Sequence, residues 1–249
     1  MTFRTVMAST AAVLAFSAGS LVVGGVPGAT IDAAAAAETT GTTVRDQPVH
    51  VGNAKLKRVD AIELDAESLV FRDGSKRVVE ASMRDAVSTV SLLNRLLGTP
   101  SRTQTAEGDG GACFPAGTTY TWGGAVRVAA LATPASAGNA VEIRVLRDEV
   151  RTRNGDRVEL SGPDGVQVGD DIHDEIADAP KSERVSYGSD ETAAWQLLLA
   201  EGWDRTDDPR SDADDADADR GTNGVSALTD DTTVVVLGSP MPVHAQRTC

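Results

Sequence analysis

Two turn dipeptides, Asp73-Gly74 and Asn154-Gly155, constrain the fold more than any other feature, because each separates two short apolar segments. Asp-Gly and Asn-Gly pairs readily adopt the positive backbone angles of tight hairpin turns, so each predicts two antiparallel strands. A third hairpin is predicted between residues 225–228 and 233–237. Antiparallel strands are therefore expected in both the first and the second half of the chain.

The strongest helical pattern covers residues 80–97. Its apolar side chains recur every three or four residues: Met83, Val87, Val90, Leu93 and Leu97. Gly98 predicts the end of this helix, and Pro100 prevents it from resuming. Two further helices are predicted in the second half, one over residues 172–177 and one from a cap at Ser189 or Asp190 to Gly202.

These elements predict an α+β fold. Val141, Ile143 and Val145 alternate with Glu142 and Arg144, a pattern typical of a sheet with one solvated face. The helices and strands are segregated into two successive groups, 56–148 and 149–249. We therefore expect two related units, each with a helix or helix pair packed on a small antiparallel sheet.

The first 37 residues predict a secretory signal peptide. An apolar run over residues 5–26 follows Arg4, and the Ala-rich tract that ends at Ala37 predicts cleavage before Glu38. The alternative is an uncleaved membrane anchor, since the run is nearly long enough to cross a bilayer. We expect a secreted protein, in the medium or the cell wall, with no stable membrane association after cleavage. Residues 38–55 are polar and Thr-rich, which predicts a flexible leader.

The chain contains two cysteines, Cys113 and Cys249. Outside the cytoplasm an even number of cysteines favours a disulfide, so we expect these two to be paired. The alternative is that Cys113 is a nucleophile, although the sequence places no histidine near it.

The formal net charge of −14 at pH 7 limits the choice of partners. An acidic surface repels nucleic-acid phosphates and anionic lipid head groups, so neither is an expected partner. Another protein or a component of the cell wall remains compatible with this charge.

Two acidic segments are candidates for cation binding. The first surrounds His173 and contains Asp170, Asp171, Asp174 and Glu175, but a solvated helix face is the expectation we adopt. The second is the loop 204–220, in which Asp215, Asp217 and Asp219 match the start of a calcium loop. Ser226 stands where a bidentate glutamate would close such a site, so we expect a disordered acidic loop and no metal ligand.

The order of several short motifs resembles that of secreted actinobacterial proteins. These motifs are Leu69-Val70-Phe71, Leu97-Gly98-Thr99-Pro100, Cys113, the segment 119–123 and the segment 164–169. The layout is similar to the tandem helix-plus-meander units of the β-lactamase inhibitory protein and of small outer-membrane assembly lipoproteins. This resemblance implies a concave sheet that binds another protein. The chain departs from the first group in having few aromatic residues, and from the second in lacking a lipidated cysteine.

Catalytic signatures are absent from the sequence. No Gly-x-Ser-x-Gly motif occurs, and Gly108, Gly110 and Gly111 lack the Lys-Ser/Thr ending of a phosphate-binding loop. We therefore predict no catalytic and no cofactor-binding residues. The expected function is that of an exported non-catalytic binding or scaffold protein, such as an inhibitor of a secreted enzyme. The alternative is an envelope hydrolase with an unrecognised carboxylate site.

Overall fold

The computed structural model describes residues 51–108, 115–135, 138–188, 193–202, 224–241 and 243. These residues all belong to one compact unit, Asp46–Cys249. The predicted signal peptide with its cleavage site at Ala37 and Glu38, both Cys113 and Cys249, and the acidic loop 204–220 lie outside the described residues.

The described residues form a sheet-rich α+β fold. Its α-helices are α1 (Asn53–Leu56), α2 (Ala86–Leu97) and α3 (His173–Asp178). Its strands are β1 (Ala61–Leu64), β2 (Ser68–Asp73), β3 (Lys76–Ser82), β4 (Arg102–Ala106), β5 (Gly117–Trp122), β6 (Val126–Leu131), β7 (Val141–Val145), β8 (Glu149–Arg151), β9 (Arg157–Ser161), β10 (Arg184–Tyr187), β11 (Ala194–Glu201), β12 (Gly224–Asp230) and β13 (Thr233–Ser239).

The strands form two sheets, and each sheet contains strands from both predicted groups. The five-stranded sheet has the order β3-β2-β1-β9-β8, and the eight-stranded sheet has the order β10-β11-β12-β13-β7-β6-β5-β4. In the first sheet, β1 pairs in parallel with β9. In the second, β7 pairs with β13 in an antiparallel manner. The groups 56–148 and 149–249 thus pair with each other twice, while the expected relation between them as two similar units stays a prediction.

The three predicted hairpins are confirmed. β2 and β3 meet across Asp73-Gly74, and Gly74 has the positive φ (57°) that the turn requires. β8 and β9 flank Asn154-Gly155. β12 and β13 pair up to Asp230 and Thr233, so their turn lies at residues 231–232.

The predicted helix over 80–97 is confirmed from Ala86 onward. Asp85 caps it by accepting a hydrogen bond from the Ser88 amide (2.9 Å), and Gly98 ends it with a φ of 89°. Residues 80–82 belong to β3 instead, where Glu80 and Ala81 pair with β2. The short helix predicted over 172–177 is confirmed as α3.

The helix predicted to end at Gly202 is wrong, because residues 194–201 form β11. Trp195, Leu198 and Leu199 have helical spacing, and Leu, Ala and Gln favour helices in isolation. In the folded chain this segment lies between β10 and β12 and pairs with both of them. Backbone pairing on both edges outweighs a helical preference of a few tenths of a kcal/mol per residue.

The leader predicted for 38–55 ends earlier than expected. Val51 is buried, and α1 begins at Asn53. The guanidinium of Arg95 on α2 donates to the Val51 carbonyl (2.5 Å) and to Asn53 Oδ1 (2.8 Å). These contacts hold the chain against α2 before Leu56, the predicted boundary.

The core is mainly aliphatic and includes side chains from both sheets and from α2. Its largest fully buried side chains are Trp122, Phe71, Ile62, Leu64, Leu69, Met83, Leu92, Leu93, Ile143, Leu160, Ile172 and Leu237. None of the helices in the described part of the chain combines the length and the apolar composition that a membrane span requires.

Candidate functional site

The acidic residues around His173 serve the local backbone. Asp170 Oδ2 accepts a hydrogen bond from the Gln167 amide (2.8 Å), and Asp171 Oδ1 accepts one from the His173 amide (3.1 Å). Both carboxylates thereby hold the turn that leads into α3. Within the described residues, no group of three His, Cys, Asp or Glu side chains is arranged to hold a metal ion.

The carboxylate of Asp171 is held by its neighbours in this turn. A hydrogen bond from the Thr232 side chain, supported by the His173 amide, holds the pKa of Asp171 below its ordinary value. The bonded carboxylate therefore stabilises the fold above the unfolded-state pKa, and this contribution is lost as the pH falls through the folded-state value.

We expect Thr232→Val to raise the pKa of Asp171 toward its ordinary value, because the variant removes the donor with the largest effect. A carboxyl NMR titration of both proteins measures this change. Thr233→Val is the matched control, since it makes the same chemical change at the adjacent exposed residue. An unchanged pKa in Thr232→Val would show that the threonine hydroxyl is not responsible.

A row of arginines crosses the eight-stranded sheet on its outer face, the face opposite the core. Arg102 on β4 lies opposite Thr121 on β5, which lies opposite Arg127 on β6. Arg127 in turn lies opposite Arg144 on β7. Residues directly opposite in a sheet share one face, so we call Arg102, Arg127 and Arg144 the arginine row.

The neighbouring positions along the strands fix the orientation of this row. The residues that alternate with the row along β5, β6 and β7 are buried, so they face the core: Trp122, Val126, Ile143 and Val145. Strands in a sheet are about 4.8 Å apart, which places Arg127 about 5 Å from Arg144 and about 10 Å from Arg102 at the backbone.

The charge of this face is opposite in sign to that of the whole chain. The outward positions of β4 to β7 carry the three arginines and Glu142, a net charge of +2. Arg102 and Arg127 are exposed, and neither forms an ion pair with another described residue. Like charges directly opposite in a sheet, such as Arg127 and Arg144, destabilise it.

Gly238 on β13 lies directly opposite Arg144. Because glycine has no side chain, it leaves space for the side chain of Arg144. A Cβ atom at residue 238 would lie 2.9 Å from Arg144 Nη1 and 3.0 Å from Met241 Sδ. The Arg144 guanidinium also donates to the Ile143 carbonyl (3.0 Å). The side chain of Arg144 therefore lies over β13 beside Gly238, where an added Cβ atom would require Arg144 and Met241 to shift.

The other half of the outer face is partly covered by the chain that follows β13. The Met241 carbonyl accepts hydrogen bonds from Ser226 Oγ (2.5 Å) and Gln196 Nε2 (3.0 Å), both of which are buried. Tyr187 donates its hydroxyl hydrogen to Gln196 Oε1 (3.0 Å). On the part of this face formed by β4 to β7, Arg102 and Arg127 are exposed and Arg144 is half-buried.

A basic groove lies between α1, the end of α2 and the β8–β9 hairpin. Its empty volume is about 280 Å³, and its charged lining residues are Lys57, Arg95, Arg153 and Asp156. The Arg153 amide donates to the Leu96 carbonyl at the end of α2. Cations near a helix C-terminus stabilise its dipole and its free carbonyls, so these basic residues have a structural role there.

The sequence did not predict the arginine row. The alternating pattern of β7 predicted that Arg144 faces away from the core. No local pattern pointed to a functional role for Arg102 or Arg127. They meet Arg144 only through the register of four strands. Of the residues that the sequence singled out around His173, Asp170 and Asp171 stabilise a turn.

Comparisons of the chain with models of protein families, with curated proteins and with solved structures found no match.

Proposed function

We propose that the chain is an exported, non-catalytic binding protein of the cell envelope or the medium, and that it contacts another protein through the arginine row. The observation that carries this proposal is the placement of Arg102, Arg127 and Arg144 in one row on the outer face of the sheet, with Arg102 and Arg127 exposed. Arg102 and Arg127 are exposed and form no ion pair with another described residue, so their guanidinium groups are available to an acidic partner.

The chemistry of arginine supports an acidic partner. The guanidinium group binds carboxylates through two parallel hydrogen bonds, and it is more weakly hydrated than an ammonium group.

The net charge supports a protein over a long polyanion. A chain of charge −14 repels an extended polymer of phosphates over its whole length. A protein can present a few carboxylates to the row while the rest of its surface is neutral or basic. Opposite local charges then act at short range, where salt screens them least.

We expect charge reversal of the row to abolish capture of the partner. The mature protein is used to retain proteins from the native secreted and wall fractions, and the retained proteins are identified by mass spectrometry. The variant with Arg102→Glu, Arg127→Glu and Arg144→Glu should bind the partner at least about tenfold more weakly, equivalent to about 1.4 kcal/mol.

The control combines Lys76→Glu, Arg77→Glu and Arg157→Glu, because it makes the same total charge change at three exposed positions of the five-stranded sheet. It should retain the partner as the wild type does. Retention of the same protein by the row variant and the wild type would contradict the proposal. Turnover of wall polymers by the mature protein, with no protein retained, would favour the hydrolase instead.

An inhibitor of a secreted enzyme is the most specific form of this proposal. If the retained protein is an enzyme, its activity is measured with the wild type and with the row variant. Loss of activity with the wild type alone supports inhibition, and unchanged activity with both supports a scaffold.

A further inference from the structure

The strand β4 forms one edge of the eight-stranded sheet, and no other described strand pairs with its outer edge. All five of its residues are exposed, so neither of its faces is covered. On its inner side it pairs with β5 over its full length without a register shift. Contacts such as the one between the Thr105 and Thr118 hydroxyls (3.2 Å) fix it there. Its outer edge therefore presents backbone groups that no described strand pairs with.

The other edge strands have features that disfavour pairing with a further strand. β3 lies next to a register shift at Phe71 and Arg72 and begins with the charged pair Lys76 and Arg77. β8 and β10 are shorter than β4. Natural proteins protect exposed edges with lysine, proline, bulges or short strands, and residues 103–106 have none of these.

We infer that β4 pairs with β4 of a second copy of this chain, in an antiparallel arrangement about a two-fold axis. A two-fold axis perpendicular to the sheet relates the two copies, so each residue lies opposite a residue whose side chain is on the same face of the sheet. One residue near the axis lies opposite the same residue of the other copy. With the axis at Gln104, Thr103 of one copy lies opposite Thr105 of the other. Thr–Thr pairs across strands are favourable. Gln104 of one chain then lies opposite Gln104 of the other.

Charge complementarity favours this arrangement over a parallel one. Arg102 stands at the start of β4, and the exposed Glu107 follows its end. Antiparallel copies bring Arg102 of one chain to the same end of the ladder as Glu107 of the other. The two arginines stay apart, since Arg102 lies opposite the neutral Ala106. A parallel arrangement would place like charges together at both ends.

The net charge predicts how this association depends on salt. Two copies of charge −14 repel each other at long range, and salt screens that repulsion. Pairing of β4 should therefore strengthen as the salt concentration rises. Binding of an acidic partner by the arginine row should weaken under the same change, because salt screens an attraction. The two interactions are distinguished by this opposite dependence.

Sedimentation of the mature protein tests the inference. The average mass of the wild type should rise toward twice the monomer mass as the protein and salt concentrations are raised, and a non-reducing gel excludes disulfide-linked copies. Gln104→Lys should weaken the association by roughly tenfold or more, because it places two ammonium groups opposite each other. Gln104→Glu should do the same.

Mixing the two variants should restore the association, since opposite charges then meet at residue 104. Ser186→Lys is the control, because it adds the same charge to the exposed edge strand β10. It should associate as the wild type does. A wild type that stays monomeric at high concentration and high salt overturns the inference. So does a Gln104→Lys variant that associates normally, or a mixture that fails to recover.

Discussion

We expect neither half to fold when the chain is divided between Asp148 and Glu149. β1 lies between β2 of its own half and β9 of the other, and β7 lies between β6 and β13 in the same manner. Each separated half would expose the free edges of these strands. It would also expose core side chains such as Ile62 and Leu237, which are buried in the intact chain. The loss of these contacts exceeds the few kcal/mol by which a domain of this size is stable.

Circular dichroism and amide hydrogen exchange of the fragments 51–148 and 149–249 measure this effect. Each fragment alone should lack a cooperative unfolding transition. The mixture of both should recover one, because each fragment supplies the strands that the other lacks. A fragment that unfolds cooperatively by itself would contradict the expectation, and it would support two independent units.

The second large effect is expected for Trp122→Ala, which should destabilise the fold by about 3–5 kcal/mol. Trp122 is only 1% exposed, and its ring stacks on Tyr120 with 6.0 Å between the centroids. Its indole Nε1–H donates to the carbonyl of Gly98, the residue that ends α2 (3.0 Å). The side chain therefore joins the eight-stranded sheet to the end of α2.

Urea unfolding followed by circular dichroism measures this loss. Trp122→Phe keeps most of the apolar volume and removes the donor, so it should cost about 1–2 kcal/mol. Tyr187→Ala, at an exposed position of β10, is the control and should have a smaller effect than Trp122→Ala. A loss below about 1 kcal/mol for Trp122→Ala would mean that the site relaxes to fill the cavity.

Features that depend on local chemistry could be predicted from the sequence. The hairpins at Gly74 and Gly155 follow from turn residues that adopt a positive φ. The end of α2 at Gly98 follows from the same preference. In each case the residues that decide the structure are adjacent in the chain.

Features that depend on distant partners could not be predicted. The segment 194–201 has a helical pattern, and only its neighbours β10 and β12 make it a strand. The parallel pairing of β1 with β9 joins residues far apart in the chain, for which no local signal exists. The arginine row depends on three consecutive registers, and a shift of one residue in any of them would turn an arginine to the other face.

Mapping the bound partner on the surface by NMR tests the central claim most directly. Amide chemical shifts of the protein without residues 1–37 are compared before and after addition of a protein that the capture experiment identifies. The largest changes should fall on the outer face of β4 to β7, at Arg102, Thr121, Arg127 and Arg144. Changes confined to the five-stranded sheet, around Lys76 and Arg157, with the arginine row unaffected, would contradict the account.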